Sequence, residues 1–216
     1  MSAPRRPRPR LEQLSDLIYG LSLSIGAISL VLTSEKATTP NEINSNILQF
    51  VFVFLLLITS WLIYTADMSV LPVETRLIAS LNVVLLILVV IIPYLFDQVV
   101  SVHNSSEVQD YASVLFTADL AGTLVIMAGF AHIIALEEKN LVDREVMVRF
   151  RAARDRIIVL IGVVLGGLAV PWDWTLQQVH VRLLIWCIPI ISYWFNRMRQ
   201  ASLVRTVTKQ ETEVPI

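Results

Sequence analysis

Apolar residues fall in six long runs, at roughly 11–32, 47–66, 77–96, 112–136, 157–172 and 180–196, with short polar connectors between them. A helix needs ~20 mostly apolar residues to cross ~30 Å of hydrocarbon, and most of the runs reach that length. The fifth and sixth are short, so their polar ends are expected at the interface or tilted into it. Connectors such as TSEKATTPNEINSN and DQVVSVHNSSEVQD are rich in turn-formers. The pattern predicts an all-α membrane protein of six transmembrane helices. It divides the chain into a basic N-terminus (1–10), a six-helix membrane domain (11–196) and a polar C-terminal tail (197–216).

Composition supports that reading. The 216 residues are 55% hydrophobic and only 16% charged, against the quarter or so usual for a soluble domain. A net charge of −1 argues against a nucleic-acid partner. The lone Cys187 lies inside an apolar run, which excludes a disulfide framework or a CxxC metal site. The basic PRRPRPR could pass for the start of a signal peptide. The apolar segment after it is too long and lacks a small-x-small cleavage site, so it is expected to stay as a first helix.

Of the 17 Lys and Arg, 15 lie in the N-terminus, the 2–3 and 4–5 connectors and the tail, leaving only Lys36 and Arg182 elsewhere. Positive charge favours the cytoplasmic side, so both termini are expected there, in a multi-pass protein of the cell membrane. The arginine-rich EEKNLVDREVMVRFRAARDR then reads as a topology determinant with i,i+4 pairing on a surface helix.

Ionisable groups near hydrocarbon need a function or a partner. Asp16, Trp61 and Asn82 each stand five residues from the cytoplasmic end of their own run. At 1.5 Å per residue, all three lie about 7–8 Å into the membrane, where an acid, an indole donor and a carboxamide can meet. The alternative makes Trp61 and Tyr64 ordinary interfacial aromatics, with Asp16 reaching to water. On a helical wheel, Leu14, Leu17, Leu21, Ile25, Ile28 and Leu32 fall within about 40° of one line. Asp16, Gly20, Gly26 and Ala27 lie roughly opposite, which points Asp16 into a packed interior. Ser15, Ser22 and Ser29 form a third row, and Ser24 flanks the aliphatic stripe. That stripe faces either lipid or a symmetry axis, where apolar rings gate ions by dewetting.

Elsewhere the chemistry is sparse. Asp119 is the carboxylate well inside the fourth run, either satisfied by neighbouring hydroxyls or part of an ion pathway. His132 and His180 stand singly, without the i,i+4 partner of a metal pair, so no metal or other cofactor is expected. No HExxH, GxSxG or phosphate-cradling glycine loop occurs, and the chain does not read as an enzyme. A secondary transporter using Asp119 is the alternative function; it would need inverted repeats, and the two halves show none. A passive scaffold ranks third.

Arg10-xxx-Leu14-Ser15-Asp16 resembles the Arg-x-x-x-Phe-Ser-Asp signature that opens the first helix of the transmembrane protein 175 family of potassium channels. Trp61 in ITSWLIYTAD stands where that family has a second-helix tryptophan, and LNVVLLILVVIIPYLF resembles its third helix, with Asn82 and Pro93-Tyr94. The likeness covers about residues 10–96. It implies a homotetramer in the bilayer, with four first helices around a central pore and one repeat per chain, as in prokaryotic relatives. Arg10, Ser15 and Asp16 would be structural, hydrogen-bonded with Trp61 and Asn82. Leu21 would form the narrowest hydrophobic ring, and Ser24 would stand at a selectivity-linked threonine. Ile25 and Ile28 would continue the lining. Departures are Leu14 for the signature Phe, Ser24 for Thr, and Tyr64-Thr65 for a histidine pair. The implied function is a leak channel for monovalent cations, preferring potassium modestly over sodium. No TVGYG-like filter segment is present.

Overall fold

The computed structural model describes the backbone of residues 9–34, 39–71, 75–101, 104–136, 144–176 and 179–212. Side chains are described over 13–29, 39–71, 75–101, 104–136, 147–176 and 179–199. The helices are α1 (Pro9–Ser34), α2 (Pro40–Val70), α3 (Arg76–Val100), α4 (Ser106–Leu136), α5 (Arg144–Gly166) and α6 (Val181–Thr212). Among the described residues, α2, α3 and α4 are long and apolar enough to cross a membrane. The chain is a multi-pass membrane protein.

Polar connectors start the helices by capping. Thr39 precedes Pro40 at the first turn, and its hydroxyl accepts from the Glu42 amide at 3.3 Å. Thr75 caps α3 in the same way, accepting from the Ile78 amide at 3.3 Å.

Packing joins the helices in an ordered series. α1 lies on α2 and α3, α3 lies on α4, and α4 lies on α5. Gly122 allows the close approach of α4 to α3, since a Cβ there would meet Leu88 Cδ1 at 3.2 Å. Four rings form a chain through the core: Phe52 of α2, Phe96 of α3, Phe116 of α4 and Trp186 of α6, with centroids 5.0, 5.6 and 4.5 Å apart. These are contact distances for aromatic pairs, so four helices share one apolar nucleus. The Trp186 indole also donates to Thr117 Oγ1 at 3.1 Å, which satisfies its buried N–H.

Two expectations need correction. The fifth apolar run, 157–172, is not one helix: α5 stops at Gly166, and a 3₁₀ turn (Gly167–Ala169) follows. A short antiparallel hairpin comes next, β1 (Thr175–Leu176) with β2 (Val179–His180). In the other direction α5 reaches back to Arg144, so the arginine-rich segment and the fifth run share one helix. Arg154 and Asp155 on this helix pair at 2.7 Å. α6 likewise continues to Thr212, through most of the segment read as a tail.

Next to the hairpin stands Arg182, which counting treated as a loop charge. This arginine is 5% exposed. It donates to Asp110 Oδ1 at 2.6 Å, to Ser113 Oγ and to the Val170 carbonyl at 2.8 Å. His180 stacks on Trp172 at 4.0 Å and 11°, and the guanidinium lies 6.0 Å from the same ring. Arg182 thus ties α4, the 3₁₀ exit and α6 together. Arg182→Met is expected to cost about 1–3 kcal/mol by leaving its partners unpaired. Asp110→Asn keeps an acceptor oxygen on a half-exposed residue and is expected to cost less. Thermal unfolding in detergent gives the ranking, and the reverse order would move the anchor away from Arg182.

Candidate functional site

The candidate site is α1 and what holds it. Its buried residues are Ser15, Tyr19 and Ser22, with Ile18, Gly26 and Ser29 half-buried beside them. At 100° per residue these six fall within about 60° of one line. All three buried side chains carry hydroxyls that must be satisfied away from water, and each has a partner.

Near the N-terminal end of α1, the Trp61 indole donates to Asp16 Oδ1 at 2.8 Å. One residue earlier, the Ser15 hydroxyl lies 2.8 Å from the Tyr64 phenol and accepts from Asn82 Nδ2 at 3.2 Å. Asn82 is fully buried, and its Oδ1 has no partner among the described residues. One turn on, the Tyr19 and Ser60 hydroxyls lie 2.8 Å apart, and the Tyr19 and Tyr64 rings stand 6.0 Å apart. Ser22 donates to the carbonyl of Ile18 in its own helix at 2.9 Å. Towards the other end, Ser29 donates to Asp97 Oδ1 of α3 at 2.8 Å.

The sequence-predicted residues are therefore brought together, but in two pairings instead of one. Asp16 takes Trp61, whereas Asn82 takes Ser15. Asp16 does not point into a packed interior: it is exposed, as are Gly20 and Ala27. The packed face is the serine row, because hydroxyls gain more from leaving hydrocarbon than small apolar residues do. Tyr64, Tyr19, Ser60 and Asp97 were missed. The signal for Tyr19 was available, since it stands four residues after Ser15 on the same row. The Arg10 side chain lies outside the described residues.

The other face of α1 is apolar and bare. Leu14, Leu17, Leu21, Ile25 and Ile28 are 45, 69, 54, 37 and 57% exposed. Ser24 is also exposed, and its hydroxyl donates to the Gly20 carbonyl at 2.8 Å. With its proton so engaged, the Ser24 oxygen presents lone pairs outward. Away from α1, Asp119 is 6% exposed, and its Oδ2 has no partner among the described residues. His132 Nδ1 meets Arg154 at 3.2 Å, at the end of the bundle where the arginines gather.

The polar clamp can be measured directly. Trp61→Phe and Asp16→Ala remove the two halves of one hydrogen bond. A double-mutant cycle is expected to show a coupling of about 0.5–1.5 kcal/mol. Additive losses in thermal unfolding would mean that the pair carries no stability.

No family profile and no curated protein matches the sequence. Among solved structures, the chain is similar to a lysosomal potassium-selective channel TMEM175 homologue from Chamaesiphon minutus. The TM-score is 0.60 at 11% identity, over 87% of this chain and 96% of that one. So low an identity carries architecture rather than activity, and the architecture is matched almost from end to end. The chain has the fold of a TMEM175 potassium-channel homologue.

Proposed function

We propose that this chain is the subunit of a homotetrameric, potassium-preferring cation leak channel, with α1 lining the pore. The observation that carries the reading is the two-sidedness of α1: its hydroxyl face is fastened to α2 and α3, and its Leu/Ile face is presented outward. A protein of the same fold is a potassium-selective channel, which supports ion conduction as the class. On this reading four copies bring their Leu21 side chains together as a hydrophobic constriction, and Ile25 and Ile28 continue the lining. Ser24 supplies one ring of oxygen lone pairs beside it. Asp16, Ser15, Trp61 and Asn82 hold the helix in register and do not touch the ion, and Arg10 is assigned to the same fastening set. Both termini lie in the cytoplasm, where positive charge is retained.

An apolar constriction with a single hydroxyl ring strips little water from an ion compared with a carbonyl cage, so discrimination between potassium and sodium is modest. The transporter alternative centred on Asp119 draws no support from the fold likeness.

The test is bilayer recording of purified protein beside Leu21→Ala. Wild type is expected to reverse between zero and the potassium equilibrium potential in a potassium–sodium gradient. The mutant is expected to pass more current and to reverse nearer zero. A reversal set by chloride, or saturable uptake without single-channel steps, would reject the channel. An unchanged mutant current would place the constriction elsewhere.

A further inference from the structure

Beyond α1, a cleft of about 490 Å³ lies between α2, α4, α5 and α6, at the arginine-bearing end of the bundle. Its lining is mostly apolar, with Leu124 and Met127 of α4 and Leu160 of α5 in its wall. Three guanidinium groups border it: Arg149 and Arg156 of α5, and Arg197 of α6. All three are exposed. Arg197 donates one N–H to the Tyr193 hydroxyl at 3.0 Å, leaving others of its five for a ligand. Arg156 has no hydrogen bond or ion pair among the described residues.

The same cleft contains two buried polar groups that lack partners. Asp67, 5% exposed, has no partner for Oδ2, and Thr123, 2% exposed, has none for Oγ1. An acid oxygen in such a place calls for a hydrogen-bond donor. A ligand suited to the cleft therefore combines an anionic group for the arginines, a donor for Asp67 and hydrocarbon for the walls. A simple anion satisfies the first requirement alone, and a fatty chain only the last.

We propose that the cleft binds an anionic phospholipid with a hydroxylated headgroup, of the phosphatidylglycerol type. The phosphate lies against Arg156 and Arg197, each able to offer charge-assisted hydrogen bonds. A headgroup hydroxyl donates to Asp67 Oδ2. The glycerol backbone lies along the apolar wall, and the acyl chains continue into the bilayer, since the cavity is of headgroup size. Basic pockets between membrane helices have this preference for acidic lipids. No α1 residue lines the cleft, although Ser60 in its wall meets Tyr19 of α1, and its occupancy does not depend on whether the protein conducts.

The test uses delipidated full-length protein in detergent, titrated with short-chain phosphatidylglycerol, phosphatidic acid or phosphatidylcholine, and separately with glycerol phosphate. Native mass spectrometry counts adducts and thermal unfolding gives apparent affinity. Phosphatidylglycerol is expected to bind best and phosphatidylcholine worst. Arg156→Gln, at an exposed position that leaves the fold intact, is expected to weaken phosphatidylglycerol by about tenfold, the loss of a charge-assisted bond. Asp67→Leu is expected to erase the preference for phosphatidylglycerol over phosphatidic acid while leaving phosphate binding. Equal binding of phosphatidylcholine, full affinity in Arg156→Gln, or an equal response to soluble glycerol phosphate would each overturn the proposal. Because nothing here reads current, an electrically silent protein that still selects phosphatidylglycerol would sink the channel and spare the lipid site.

Discussion

A polar side chain set in hydrocarbon must find its partner within the protein, and the placement of α1 follows from that constraint. Ser15, Asp16, Tyr19 and Ser29 find their partners on α2 and α3, so α1 turns its Ser15–Tyr19–Ser22 face to them. In a soluble protein the aliphatic stripe would have been buried and the serines left to water. Here the solvent is apolar, and the preference is inverted. The outward Leu/Ile face is the geometric remainder once the polar face has been committed.

How much of this could be read from residues alone depended on the kind of information required. Run length marks six helices, because the apolar stretch needed to cross a bilayer is set by its thickness. Depth could be counted as well: a helix advances by a constant rise, so Asp16 and Trp61 fall on one level, and they bond. Azimuth was harder. Ser15 and Asp16 are adjacent in sequence but 100° apart around the helix, and depth alone cannot decide which of them Asn82 meets. The small residues Gly20 and Ala27 suggested a packing side that the hydroxyls in fact occupy. Arg144 to Arg156 read as a surface helix outside the fifth run because charge lowers hydropathy, although arginine is a good helix former and α5 runs straight through both. The hairpin at 175–180 has two residues per strand, too few to show any alternation.

The two ends of the bundle are built on different principles. Midway and towards the hairpin, the ring chain from Phe52 to Trp186 and the Arg182 anchor bind four helices tightly. At the arginine-bearing end the helices part around the cleft, where the Trp194 indole of α6 donates to Thr59 Oγ1 of α2 at 3.1 Å. Pro189 stands in the cleft wall on α6, between those regions. Its missing N–H frees a carbonyl one turn earlier and loosens the helix where the packing changes character.

The Ser29–Asp97 bond at one end of α1 and the Asp16–Trp61 bond at the other are separated by 13 residues, or about 20 Å along the axis. A rod tied at two such distant points to two different neighbours has few rigid-body freedoms left. It can neither swivel about its own axis nor lean away from α2 and α3 without parting one of those ties. What remains is travel of the three helices as a single block, or rotation about the side-chain torsions of the bare leucines and isoleucines.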